Sequence, residues 1–168
     1  MNHYKELFAN GKNMWRKGCF QDAAQAYLRA AQSNVSINKK ARAYELAGTM
    51  FFFSGDHVRQ KINKLKAAEF WSKIADVASE PNKKICAYWK TFSQFAAIRD
   101  NNSQVKCISK IIDNVEDIRW KGIRWRILKK LLDKFPPAGS DESKQCLKGG
   151  LARIRVEQAQ RERNFEKN

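Results

Sequence analysis

Arg119, Lys121, Arg124, Arg126, Lys129 and Lys130 follow one another with no carboxylate between them, and Trp120 and Trp125 are interleaved. Guanidinium and ammonium groups neutralise phosphates, and exposed indoles stack on unpaired bases. The stretch therefore has the chemistry of a single-stranded nucleic-acid contact. A plainer arrangement accounts for the same residues: the tryptophans flank Ile123 and Leu128 in a core, and the cations form a solvated helix face. A second acid-free run, Arg59, Lys61, Lys64 and Lys66, lies nearer the middle of the chain. Across the whole sequence, 33 Lys and Arg against 17 Asp and Glu give a formal charge of +16. Such an excess attracts nucleic acid, anionic membrane or acidic protein without choosing among them.

Catalytic chemistry has little to stand on. His3 and His57 are the only histidines, one near a terminus and the other in a predicted loop beside Asp56, and neither belongs to a nucleophile, metal or acid–base motif. Asp113, Glu116 and Asp117 fall between two predicted helices, where acids serve to end one and start the next. Gly149-Gly150 lacks the flanking pattern of a phosphate loop. No enzyme, metal site or cofactor is expected. Cys19, Cys86, Cys107 and Cys146 are far apart and sit in or beside apolar helical faces, as small buried residues of a reducing compartment do.

The elements that carry these residues are helical almost throughout. Apolar residues recur at three–four spacing through Tyr4, Leu7, Phe8, Gly11, Met14 and Trp15, and again through Phe20, Ala23, Ala24, Tyr27, Ala30 and Ala31. Ile37, Ala41, Tyr44, Gly48, Phe51 and Phe52 mark a third helix. Ile62, Leu65, Ala68, Trp71 and Ala75 mark a fourth. After Pro81 a fifth, aromatic helix follows, then a short sixth through Val105, Ile108, Ile111 and Ile112, entered from N-cap residues at 100–103. The pattern predicts a seventh helix ending before Pro136-Pro137 and a last one after Ser140. The expected fold class is all-α, with seven to eight helices in one domain over 1–156 and a polar extension at 157–168. No apolar run approaches the ~20 residues that span a bilayer, and the opening residues lack a signal-peptide organisation. Cytoplasmic residence without membrane insertion is expected.

Gly11, Gly18, Ala23-x3-Tyr27 and Ala30 are spaced as in a helical hairpin of the tetratricopeptide repeat, and the chain resembles that family. A second copy runs through Tyr44, Ala47, Gly48, Phe51 and Gly55, then Ala67-x3-Trp71 and Ile74. The first part is shifted by 37 residues (48 − 11) and the second by 44 (67 − 23). The seven-residue difference is assigned to an insert at 57–63, two helical turns that leave the core face in place. A third copy through Phe92, Phe95, Ala96, Ser103, Ile108 and Ile112 has neither glycine. The resemblance implies stacked hairpins in a right-handed solenoid and a binding surface in place of a reaction centre.

It further implies a groove lined by the first helix of each hairpin: Lys5, Phe8, Lys12 and Trp15, then Arg42, Glu45, Thr49 and Phe52, then Lys90, Ser93 and Ala97. Phe8 and Phe52 are expected in the core, and Lys5, Lys12 and Arg42 at the surface. A basic groove with aromatic anchors suits an acidic protein or peptide. The expected function is a non-enzymatic adaptor, chaperone-like or immunity-type module. The alternative is a nucleic-acid-binding regulator acting through 119–130. Exposed aromatics would also permit a homodimer.

Overall fold

Three tight corners organise the chain. The computed structural model describes residues 3–118, which form α1 (His3–Arg16), α2 (Phe20–Gln32), α3 (Ile37–Phe53), α4 (His57–Val77), α5 (Pro81–Ala97) and α6 (Asn101–Glu116). No strand occurs among the described residues. The expected seventh and eighth helices, the basic stretch 119–130 and the polar extension lie outside them. Successive helices pack chiefly on their chain neighbours, so the packing is built up pair by pair.

Each hairpin turns through a residue with left-handed backbone: Gly18 at φ 77°, Gly55 at φ 79° and Arg99 at φ 58°. The hydrogen bonds repeat as well. Cys19, Asp56 and Asp100 each donate a backbone N–H to the carbonyl five residues back, on Met14, Phe51 and Phe95, at 3.0, 2.9 and 3.0 Å. These bonds satisfy carbonyls that a helix end leaves open. Asp56 and Asp100 also cap the following helix, accepting from Arg59 N–H and Ser103 N–H at 2.9 and 3.1 Å. A left-handed conformation costs nothing at glycine and roughly 1–2 kcal/mol at arginine, so the third corner is the strained one.

Counting from the corners corrects the expected insert. His57 opens α4 directly after Asp56, as Phe20 opens α2 directly after Cys19. The first half of α4 is therefore displaced from α2 by the same 37 residues (55 − 18) as the corners, and nothing is inserted at 57–63. The additional length of α4, 21 residues against 13, lies at its far end. The offset from the second corner to the third is 44 (99 − 55). His57 is thus helical and not in a loop, and its Nδ1 lies 3.1 Å from Gln60 Oε1.

In this register Gly11 faces Tyr27 and Gly48 faces Lys64, both sixteen residues on. A Cβ at Gly11 would stand 2.9 Å from the Tyr27 ring, and one at Gly48 would stand 3.1 Å from Lys64 Cγ and Cδ. The small residue makes room for a ring in one hairpin and for a lysine stem in the other.

The two halves then differ in what they bury. Ala23, Ala26 and Tyr27 are buried on α2, with Ala47 and Met50 on α3. Their counterparts at 60, 63 and 64 on α4, and at 91 and 94 on α5, are Gln60, Asn63, Lys64, Thr91 and Gln94, also buried. The expected α4 core stripe therefore holds in its second half, where Ala68, Trp71 and Ala75 are buried, and fails in its first half, where Ile62 and Leu65 face outward and the polar trio faces in. Ile37 and Phe52, also expected in the core, are exposed. Cys19 and Cys86 are exposed too, and only Cys107 is buried among the described cysteines. The sixth helix is 16 residues long and not short. Asp113 and Glu116 belong to its last turns, and Asp117 is its C-cap.

Candidate functional site

Seven cations lie over aromatic rings among the described residues, and four of them also lack an acid partner there: Lys39 Nζ is 5.5 Å from the Tyr4 centroid, Lys66 Nζ 5.4 Å from Tyr44, Arg42 Cζ 5.7 Å from Phe8, and Lys90 Nζ 3.8 Å from Trp71. None of these four has a carboxylate within ion-pair distance among the described residues. The ion pairs found there use other cations: Arg59–Asp56, Lys73–Glu69, Lys83–Glu80 and Lys110–Asp76. A ring face restrains a cation, at about 0.5–1 kcal/mol for exposed sites, without neutralising its charge. Arg42 and Lys90 are therefore positioned without being held in an ion pair among the described residues.

The groups between these two are tied together. Glu45 Oε2 accepts from Trp71 Nε1 at 3.2 Å, fixing the indole on which Lys90 rests. Lys64 Nζ donates to the Glu45 carbonyl at 3.1 Å and to Thr49 Oγ1 at 2.8 Å. Thr49 Oγ1 donates in turn to the Glu45 carbonyl at 3.0 Å. Burial pushes the Lys64 ammonium below its ordinary value, and the charge of Glu45 opposes that shift. Phe8 links the row to the first hairpin, meeting the Tyr27 ring edge-on at 5.1 Å. The result is a row across α1, α3, α4 and α5: Phe8 under Arg42, then Glu45 and Thr49 over Lys64, then Trp71 under Lys90.

Of the residues expected to line the groove, Arg42 and Lys90 thus join one row. Glu45 and Thr49 belong to it, but their side chains are taken up inside the protein, where they position Trp71 and Lys64. Lys5, Lys12 and Trp15 are exposed on α1, and no contact joins them to Arg42. Trp15 and Phe52 end the α1 and α3 faces near the corners, 44% and 51% exposed. Phe8 is half-buried, partly as expected of a core residue. Lys64 and Trp71 were not expected as members of the site. The signal for Lys64 was available in the spacing, since it follows Gly48 by the separation that joins Tyr27 to Gly11.

A second concavity lies between α4 and α6 with α5 as its floor, about 280 Å³ in volume and lined mainly by apolar groups, among them Leu65, Ala68, Tyr88, Phe95 and Cys107. Tyr88 OH donates to Asp76 Oδ1 at 2.6 Å, which holds the phenol above its ordinary range together with burial, the larger cause. Burial raises the Cys107 thiol to about 11, so it is a protonated, unreactive wall of the cleft. Among the described residues no helix is long and apolar enough to cross a membrane. Compared with family models, with curated proteins and with solved structures, the chain matches none.

Proposed function

We propose that the chain is a non-enzymatic binding module whose row of ring-seated cations takes an acidic segment of a partner polypeptide. The single observation that carries this reading is that Arg42 and Lys90 are fixed by Phe8 and Trp71 while having no carboxylate partner among the described residues. Carboxylates of a partner would supply the missing charge, with hydrogen bonds stronger than those between neutral groups. Lys5, Lys12 and the exposed Trp15 and Phe52 extend the surface at its edges. The tetratricopeptide-like, right-handed stacking of hairpins belongs to this proposal as well. It draws support from the three alike corners and from the glycine-to-partner separation that the first two hairpins share. An adaptor or chaperone-like role in the cytoplasm is the setting it suggests.

The test is charge reversal at the two ends of the row. Polyglutamate peptides of graded length should bind the wild-type protein, and Arg42→Glu with Lys90→Glu should weaken that binding about 100-fold or more, because each reversal adds repulsion to the lost attraction. Equal affinity in the variant would remove the row as the site. Tighter binding of single-stranded nucleic acid than of polyglutamate would favour the competing reading through 119–130, with a salt slope that counts phosphate contacts.

A further inference from the structure

Helix α4 has its amphipathic sides exchanged along its first half. Gln60, Asn63 and Lys64 point inward, while Val58, Ile62 and Leu65, at i, i+4 and i+7, are exposed at 73%, 48% and 39%. An apolar stripe turned to solvent, with buried polar residues behind it, is costly unless something covers it. Leu65 connects the stripe to the cleft between α4 and α6, whose floor is Tyr88, Thr91 and Phe95. From Val58 to Ser72 this continuous face runs about 21 Å, the length of an α-helix of about 14 residues.

The charges at its rim select the occupant. The acids there are already engaged: Glu69 pairs with Lys73, Asp76 with Lys110, and Asp100 caps α6 through Ser103. Lys106 lines the cleft, and Lys61 and Lys106 are both exposed beside Asp100, whose carboxyl is held below its ordinary value by the Ser103 hydrogen bonds and, to a lesser extent, by these two cations; neither has a carboxylate in ion-pair range among the described residues. A second copy of this basic chain would bring like charges together. We propose that the outward face of α4 and the adjoining cleft take an amphipathic helix of a partner polypeptide, apolar toward Ile62 and Leu65 and acidic toward Lys61 and Lys106. This surface uses different side chains from the row between Arg42 and Lys90, so it is a second docking site that does not depend on the first.

The full-length protein would be panned against a displayed library of helical peptides about 14 residues long, with apolar and charged positions randomised. Enriched peptides should carry apolar residues at i, i+3 or i+4, and i+7 beside glutamate or aspartate. Their affinity should fall about 10-fold or more for Ile62→Asp with Leu65→Asp. It should fall for Lys61→Glu with Lys106→Glu and stay unchanged for Arg42→Glu with Lys90→Glu, which separates this site from the cation row. The first two variants replace exposed side chains, and circular dichroism melting checks that their fold persists. Enrichment of basic or unpatterned peptides, no enrichment, or binding indifferent to Ile62 and Leu65 would overturn the proposal. So would a wild-type dimer in sedimentation that the Ile62→Asp, Leu65→Asp protein converts to monomer.

Discussion

Around α2 the helices meet through alanine, methionine and aromatic side chains, whereas the corresponding positions are Gln60, Asn63 and Lys64 on the first half of α4 and Thr91 and Gln94 on α5, all buried. The backbone register is the same on both sides, set by alike corners. The dry region is held by close approach, with Gly11 against the Tyr27 ring and Tyr27 among Ala23, Ala24, Ala47, Met50 and Phe51. The polar region is held by specific bonds, such as Gln60 Nε2 to the Ala97 carbonyl at 3.2 Å. It also leaves Gln94 Oε1 buried without a partner. An orphaned acceptor costs about 1–3 kcal/mol, so the second region gives up stability that the first retains. The cation row lies over this second region, because Lys64 and Trp71 form its underside. One part of the molecule is built for packing and the other for presenting charge.

The contrast breaks most visibly at Tyr27. Tyr27→Ala should cost about 3–5 kcal/mol in urea unfolding, the range for emptying a buried aromatic site, and a loss under 1 kcal/mol would mean that the first hairpin is not closely packed. Exchange between equivalent positions is the next largest effect. Met50→Gln should destabilise by about 2 kcal/mol, because its amide enters a dry contact, whereas Gln94→Met should stabilise by about 1 kcal/mol on removing the orphaned oxygen. Two changes of the same sign would erase the distinction between the regions.

Lys64 sharpens the comparison through pH. Its folded value lies below 10.5, chiefly from burial. Between the folded value and 10.5 the unfolded chain therefore binds more protons than the folded one, and this group makes stability rise with pH. Cys107 acts in the opposite sense above 9, and Tyr88, with Tyr4 and Tyr27, above 10, since the raised thiol and phenols keep protons that the unfolded chain has lost. Lys64→Met removes the one rising contribution, so chemical-denaturation midpoints should fall more steeply below pH 10.5 in the variant than in the wild type. An identical pH profile in the variant would assign the rising contribution to another group. The smallest effect belongs to the corners: Arg99→Gly should add about 1 kcal/mol by relieving the left-handed arginine. Gly55→Arg should cost about as much, measured in the same way.

Much of the fold was legible because helical spacing and glycine at a turn are local signals. The all-α class, the corners at Gly18 and Gly55, the N-cap at Asp100 and the Gly11–Tyr27 approach all follow from such signals. The orientation of the first half of α4 does not, although Ala68, Trp71 and Ala75 of the expected stripe are buried farther along. Ile62 and Leu65 satisfy three–four spacing as well as Gln60 and Lys64 do, and apolar preference selects the wrong set. What fixes the inward face is the register carried from the second corner, a relation between hairpins. At the third corner the turn was legible from the N-cap residues, but its left-handed position was not, since Arg99 adopts a backbone that no sequence rule assigns to arginine. Arg42 and Lys90 were legible as surface cations, but the rings beneath them come from other helices and required the packing to be known.

The most direct measurement is affinity capture from native cytosol, split into nuclease-treated and untreated halves, with wild-type protein and the Arg42→Glu, Lys90→Glu variant run side by side. An acidic protein retained by the wild type after nuclease, and lost by the variant, is the predicted result. Retention of the same protein by the variant, or partners that all disappear with nuclease while nucleic acid is recovered, would contradict the row as the site of function.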